Sequence, residues 1–179
     1  MSEKTILNIG CGDAPIAGAV NLDIDPESKA DLLHDLDVMP WPFADDSFDR
    51  IICSHIVEHV RNPFLFLKEI HRVSRHGAIL ELATPHYSSP DSWNDLTHYG
   101  HFGLKAFEPF YTSRHLIHSR STSMELVSRK LTFGRGLPSL GGRFLAALLS
   151  PTVYEKYFCH LFPARNMEFQ FRVVKQVGD

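Results

Sequence analysis

The apolar positions of the chain fall into short runs that each end at a polar cluster, a pattern that predicts strands opening into loops. Thr5 to Ile9 runs into Gly10, Val20 to Ile24 is closed by Asp23 and Asp25, and Ala30 to Leu33 stops at His34 and Asp35. Asp49 to Cys53 predicts a fourth, fully buried strand and Gly77 to Ala83 a fifth. Between these two, Pro63 to Ser74 carries Phe64, Leu67, Ile70 and Val73 at a spacing of three, which is helical. Asn62 is the expected N-cap, with Pro63 at the first helical position. Arg72 and Arg75 suit the negative end, and Gly77 is expected to stop the helix.

Beyond Thr84 the periodicity loosens. Pro85 to Gly103 reads as a loop rich in His, Ser, Asp and aromatic residues, followed by a helix around Lys105 to Tyr111; loops of that length usually carry function. Met124 to Phe133 and Met167 to Lys175 predict two further strands, and Leu140 to Phe162 between them predicts one or two helices broken at Pro151. This order of elements is α/β. No repeat or linker divides the chain, so residues 1–179 are expected to form a single domain, with an acceptor-side loop at about 85–104 and a helical insertion at about 139–162.

Of 179 residues, 18 are basic and 21 acidic, and 44% are hydrophobic, which excludes dominant disorder. A pI near 6.4 offers no broad positive surface for nucleic acid or an anionic membrane. The three cysteines are odd in number and lack any Cys-x-x-Cys pair, which disfavours a disulfide framework and a structural zinc site. Met1 to Gly12 shows no leader pattern and the apolar run Phe144 to Leu149 is too short to span a bilayer, so a cytoplasmic location is expected.

The chemically informative residues stand at the predicted C-terminal tips of strands, where an α/β sheet binds its ligand. They are Asn8-Ile9-Gly10-Cys11-Gly12 after the first strand, Asp23 after the second, Asp35 after the third, and Ser54-His55 after the fourth. Glycines let the chain turn tightly there, and a carboxylate at the second tip suits a ribose diol. Pro15 stands where a dinucleotide fingerprint needs its third glycine, so a pyrophosphate seat is not supported. His55 to His59 has the His-x-x-Glu-His spacing of a zinc peptidase family, but it follows a buried strand and spacing identifies no third ligand. The expectation is no metal, with Glu58 and His59 lining or bordering the crevice; His86, His98 and His101 form an alternative metal grouping. In the loop after the fifth strand, His86 and His98 are candidate general bases and Asp95 an orienting partner. Tyr87, Trp93, Tyr99, Phe102, Phe107 and Tyr111 either wall an acceptor or belong to the core.

The ordered series LNIGCG (Leu7 to Gly12), VNLDIDP (Val20 to Pro26), MPWPFADDSFDRI (Met39 to Ile51), SHIVEHV (Ser54 to Val60) and LKEIHRVSRHGAILELATP (Leu67 to Pro85) resembles the class I S-adenosylmethionine-dependent methyltransferases, in particular their small-molecule, methyltransferase type 11-like branch. The resemblance implies a Rossmann-like sheet, mostly parallel, with an antiparallel strand near the C-terminus. It implies S-adenosylmethionine as cofactor and methyl transfer to an oxygen or nitrogen of a small-molecule acceptor. Gly10 and Gly12 would pack against the amino acid part of the cofactor, with Asn8 and Cys11 in the same loop. Asp23, with Ile24, matches the ribose site, Asp35 and Leu36 the adenine site, and Ser54 and His55 the strand end beside the methionine moiety.

Three departures stand out. Asn8 replaces a common acid, Arg75-His76-Gly77 replaces a Pro-Gly-Gly turn, and Gly12 and Asp23 lie 11 positions apart where about 20 is typical. The early crossover helices must therefore be abbreviated. An uncovered sheet face or edge would follow, with Leu140 to Phe162 or the second subunit of a homodimer as its cover. The fourth strand is not followed by Asn/Asp-Pro-Pro-Tyr/Phe, which argues against nucleic acid and side-chain amides as acceptors. The competing reading is a catalytically inactive S-adenosylmethionine-binding regulatory or interaction protein.

Overall fold

The computed structural model describes residues 5–112 and 123–175. Strands β1 (Ile6–Ile9), β2 (Ala19–Asp23), β3 (Leu32–Leu33), β4 (Phe48–Ser54) and β5 (Ser74–Pro85) are parallel to their neighbours, and β7 (Asn166–Val174) pairs antiparallel with both β5 and β6 (Ser123–Leu131). They form one sheet in the order β3-β2-β1-β4-β5-β7-β6. This is the α/β class that the chain pattern predicts, with the mostly parallel sheet and antiparallel C-terminal side that the resemblance implies.

Of the parallel crossovers, the one from β4 to β5 carries a helix, α1 (Pro63–Val73). Asn62 caps it by accepting the Leu65 N–H at 3.1 Å, and Phe66, Leu67, Ile70 and Val73 are buried against the sheet, each contributing about 1.5–3 kcal/mol. The helix does not run to Gly77. Ser74 donates its N–H and its hydroxyl to the Ile70 carbonyl, and the chain passes directly into β5. Gly77 (φ +81°) instead sits where the β4–β5 register skips from Phe48↔Ser74 to Arg50↔Ile79, an irregularity that a left-handed residue accommodates.

Residues 10–18, 24–31 and 34–47 connect the first four strands without any helix. Side-chain bonds do the holding. Asn21, buried in β2, accepts from Asn8 Nδ2 (2.9 Å) and the Ile16 N–H (2.8 Å), and gives its own N–H and Nδ2 to Asp31 Oδ2, both at 2.8 Å. One amide thus ties together β1, β2 and the loops on either side of β2.

The two faces of the sheet differ sharply. Leu7, Ile51, Leu80 and Phe171 are in register across four strands and fully buried. Their neighbours Asn8, Ile52, Glu81 and Gln170 line the opposite face, where β4 to β6 carry the ion pairs Arg50–Glu81, Lys130–Glu168 and Arg172–Glu125. Parallel sheets are usually buried on both sides; here loop 10–18 folds over β1 and β2, and most of the rest faces solvent.

Helices α4 (Leu137–Leu148) and α5 (Pro151–Tyr157) divide at Pro151, as expected, with Ser150 capping α5 through the Val153 N–H. They do not cover the first strands. Phe133 at the end of β6 packs its ring 5.4 Å from Tyr154, and Glu155 reaches His86 and Leu104, so this hairpin sits at the edge opposite β3. The segment after β5 holds two short helices, α2 (Pro90–Trp93) and α3 (Glu108–Tyr111), the latter shorter than the predicted Lys105 to Tyr111. Phe107 packs 5.2 Å from Phe169, which stacks on Phe171 at 5.5 Å, and these rings form the centre of the C-terminal half of the core. The cysteines are all free and buried.

Candidate functional site

The turn after β1 is built around Gly10, whose N–H donates to the Leu22 carbonyl at 2.7 Å. Its φ is +68°, and a Cβ there would lie 1.9 Å from Ile56 Cδ1, so both the backbone and the space demand glycine. Gly12 (φ +48°) donates its N–H to Asp23 Oδ2 at 2.7 Å, and Asp23 Oδ1 accepts the Asp25 N–H at 3.0 Å. Asp23 therefore braces the glycine loop, and each of its oxygens keeps lone-pair capacity for a ligand.

A cavity of about 330 Å³ opens at these strand tips, bounded by Gly10, Asp23, Ile24, Asp35 and Leu36, within the range of small-ligand pockets. Ile56 and Val60 add apolar wall, and His59, Thr97 and Tyr99 close the opposite side. The closure has a cause: the N–H groups of Tyr99 and Gly100 donate to the Glu58 carbonyl at 2.8 and 3.1 Å, clamping the loop after β5 onto the 3₁₀ turn Val57–His59. Asp23, Asp35 and Asp37 line the cavity, and among the described residues neither lysine nor arginine does. That lining suits a nucleoside bearing positive charge and opposes a polyphosphate.

The other expected cofactor contacts lie elsewhere. Asn8 is buried and committed to Asn21, and Cys11 is buried with its thiol 3.7 Å from the Gly12 carbonyl; burial raises the pKa of that thiol. Ser54 points onto the open sheet face, where it borders a separate depression of about 350 Å³ with Ala83 and Gln170. His55 adopts φ +58° and places Nδ1 3.3 Å from Glu58 Oε1, which raises its pKa. Because the chain kinks at His55 and then makes a single 3₁₀ turn, His55 and His59 do not face one another on a helix.

Among the base candidates, His86 is fully buried, with Nδ1 2.7 Å from Ser88 Oγ and Nε2 3.2 Å from Glu155 Oε1, and it does not line the cavity. Asp95 accepts from the Thr97 N–H (2.8 Å) and hydroxyl (2.6 Å), and Thr97 in turn meets His59 Nδ1 at 2.9 Å. His98 packs its ring 4.6 Å from that of His59. Asp95 and His98 are thus brought beside the cavity, and His86 is not. Of the aromatic candidates Tyr99 lines it; Phe102 and Phe107 pack in the core, and Trp93 stacks on His101 at 3.7 Å. No spacing signal marked Thr97 or Asp37, because they reach the site through tertiary contacts.

Residues 7–82 match a family model described as a methyltransferase domain. An uncharacterized methyltransferase of Mycolicibacterium vanbaalenii is 37% identical over 76 residues, 41% of this chain and 29% of that protein, so the chain matches under a third of that relative's length. Over its whole length the fold is similar to a SAM-dependent methyltransferase from Archaeoglobus fulgidus, with a TM-score of 0.65 and 15% identity over 96% of this chain and 86% of the other. It is also similar to the YcgJ protein of Bacillus subtilis, with a TM-score of 0.64 and 14% identity over 98% and 93% of the two chains. The matching segment contains Gly10, Asp23 and Asp35, so residues 7–82 are similar to a methyltransferase domain and the fold is similar to that of SAM-dependent methyltransferases.

Proposed function

We propose that the protein transfers a methyl group from S-adenosylmethionine to an oxygen or nitrogen of a small-molecule acceptor. The observation that carries this reading is the convergence of Gly10, Asp23 and Asp35, from three strand tips, on one cavity closed by Thr97 and Tyr99 of the loop after β5. Asp23 would accept from the ribose hydroxyls, Asp35 and Leu36 would meet the adenine, and Gly10 would let the backbone approach. When bound, the cofactor supplies an electrophilic methyl group already activated by its sulfonium. The chain's own task is to hold donor and acceptor in line and exclude water, which contributes up to about 7–11 kcal/mol in favourable cases. A base is needed only for a protonated acceptor. His86 is buried against Glu155 and does not line the cavity, His98 and Asp95 stand beside it as the base and orienting candidates, and His59, Thr97 and Tyr99 would form the acceptor side. The small acceptor and a cytoplasmic location belong to this proposal; among the described residues no helix is long and apolar enough to cross a membrane.

The test is thermal unfolding with S-adenosylmethionine followed by an acceptor screen. Saturating cofactor should raise the unfolding temperature, about 2.7 kcal/mol at a hundred times Kd, and Asp23→Ala should abolish the rise. Release of S-adenosylhomocysteine with an acceptor completes the assignment. Stabilisation without release from any acceptor would support the regulatory alternative, and absence of stabilisation in the unmodified chain would overturn both.

A further inference from the structure

Glu58, His59 and His98 each offer one ligand atom within 4.8 Å of the others, the one such metal-ligating trio among the described residues. Hydrogen bonds fix what each presents. His98 Nδ1 lies 2.9 Å from the Ser92 carbonyl, an acceptor only, so Nδ1 carries the proton and Nε2 of the neutral ring keeps its lone pair. Asp95 takes the Thr97 hydroxyl proton at 2.6 Å, so Thr97 Oγ1 accepts from His59 Nδ1 at 2.9 Å, and His59 Nε2 likewise keeps a lone pair. Glu58 is fully buried. Its Oε2 accepts from Thr84 Oγ1 at 3.0 Å, whereas Oε1 has no hydrogen-bond partner among the described residues and faces His55 Nδ1 at 3.3 Å, a ring that carries charge only when protonated. Each of the three residues therefore keeps an atom with a free lone pair, with His98 Nε2 also 3.9 Å from Asp95 Oδ2, and a buried carboxylate oxygen without a hydrogen-bond partner costs stability.

We propose that Glu58, His59 and His98 bind a divalent transition-metal ion of the zinc class. Two imidazoles and a carboxylate are a borderline donor set suited to that ion, and three protein ligands leave a coordination position open. The supporting contacts match those of metal sites, where the second ring nitrogen of each histidine is held by a carbonyl or a carboxylate-linked group: Ser92 for His98, and Asp95 through Thr97 for His59. Bonds of about 2.0–2.1 Å to a tetrahedral ion set ligand atoms roughly 3.4 Å apart. The trio must close by little more than an ångström, within reach of small side-chain rotations. His59 also lines the cofactor cavity, so the ion would stand at its wall. This inference stands on the trio's geometry and does not require methyl transfer.

The experiment is titration of the metal-stripped full chain with Co²⁺, read by d–d absorption, with Zn²⁺ as competitor and thermal unfolding in parallel. One equivalent should bind with a tetrahedral or five-coordinate spectrum, be displaced by Zn²⁺ and raise the unfolding temperature. His59→Ala and His98→Ala should each weaken binding about a hundred-fold or more, beyond the 10–100-fold typical of losing a supporting contact. His76→Ala, at the opposite end of β5 from the Thr84 that holds Glu58, should bind as the unmodified chain does. Circular dichroism of the metal-free variants establishes that they fold; should His98→Ala not fold, His59→Ala reads the same site. No stoichiometric Co²⁺ binding by the unmodified chain overturns the proposal, as does unchanged affinity in a folded His59 or His98 variant.

Discussion

The two halves of the sheet solve the same problem in different ways. From β4 onward, apolar side chains hold the strands: α1 and the rings of Phe107, Phe169 and Phe171 cover one face, and the antiparallel β5–β7–β6 ladder supplies long strands. From β1 to β4 no helix is available, β3 is two residues long, and a chain of amide and carboxylate bonds through Asn21 takes the place of helix packing. The cavity at the strand tips lies in the second, polar half. Its geometry thus depends on a few hydrogen bonds where the other half depends on many diffuse contacts, and the two halves should respond differently to mutation.

The largest effect is expected in the apolar half. Phe169→Ala removes a fully buried ring and should cost about 3–5 kcal/mol, read as an unfolding temperature lower by roughly 6–20 °C. Its sequence neighbour Gln170 faces the open side, and Gln170→Ala should stay within about 0.5 kcal/mol. A loss above about 1 kcal/mol at Gln170 would mean that this face is covered in solution and would break the contrast between the faces.

The polar half is probed at Asn21. Asn21→Ala leaves the buried Asn8 amide and the Ile16 N–H without their acceptor and removes the side-chain bond to Asp31, whose carboxylate keeps the Asn21 N–H. The expected loss is about 2–3 kcal/mol, in line with the desolvation of unpaired buried groups. Because Asn21 tethers loop 10–18, the stabilisation that S-adenosylmethionine gives should fall as well. Phe169→Ala, by contrast, should leave that increment largely intact at temperatures where the variant is folded. Equal loss of the increment in both variants would show that the halves are not separable.

Much of this architecture could be read from the chain. The Asn62-Pro63 cap with Phe66, Leu67, Ile70 and Val73 behind it marks α1 because capping and periodicity are local. That Gly10, Asp23 and Asp35 would lie around one cavity was legible because strand tips fall together once the strands are parallel. Local signals failed where tertiary register decides. Gly77 looked like a helix stop, but Ser74 ends the helix and Gly77 serves a pairing irregularity opposite the β4 segment Phe48 to Arg50. His86 looked like a base at a strand tip, yet Glu155, 69 positions later, draws it into the core. His98 meets His59 because backbone bonds to Glu58 place its loop there, which no spacing rule encodes.

The smallest expected effect is on acid stability, and it separates the halves again. In the apolar half, burial alone would raise the Glu155 pKa, but hydrogen bonds from His86 and the Leu104 N–H outweigh it and hold the carboxyl below its ordinary 4.5. In the polar half, the Asn21 N–H and then its side chain hold Asp31 below its ordinary 3.8. For both, the folded pKa lies under the unfolded one, so the stability they contribute is present above the ordinary value and is lost as pH falls through the folded value. Unfolding temperature measured from about pH 7 down to pH 3 should drop less steeply in Glu155→Gln, whose carboxylate is mostly enclosed, than in the unmodified chain. Asp31→Asn should flatten the same limb by less, because solvent screens that exposed carboxylate. If Asp31→Asn instead flattens it more, the charge on Asp31 matters beyond its bonds to Asn21, and the polar half is held by electrostatics as much as by hydrogen bonding.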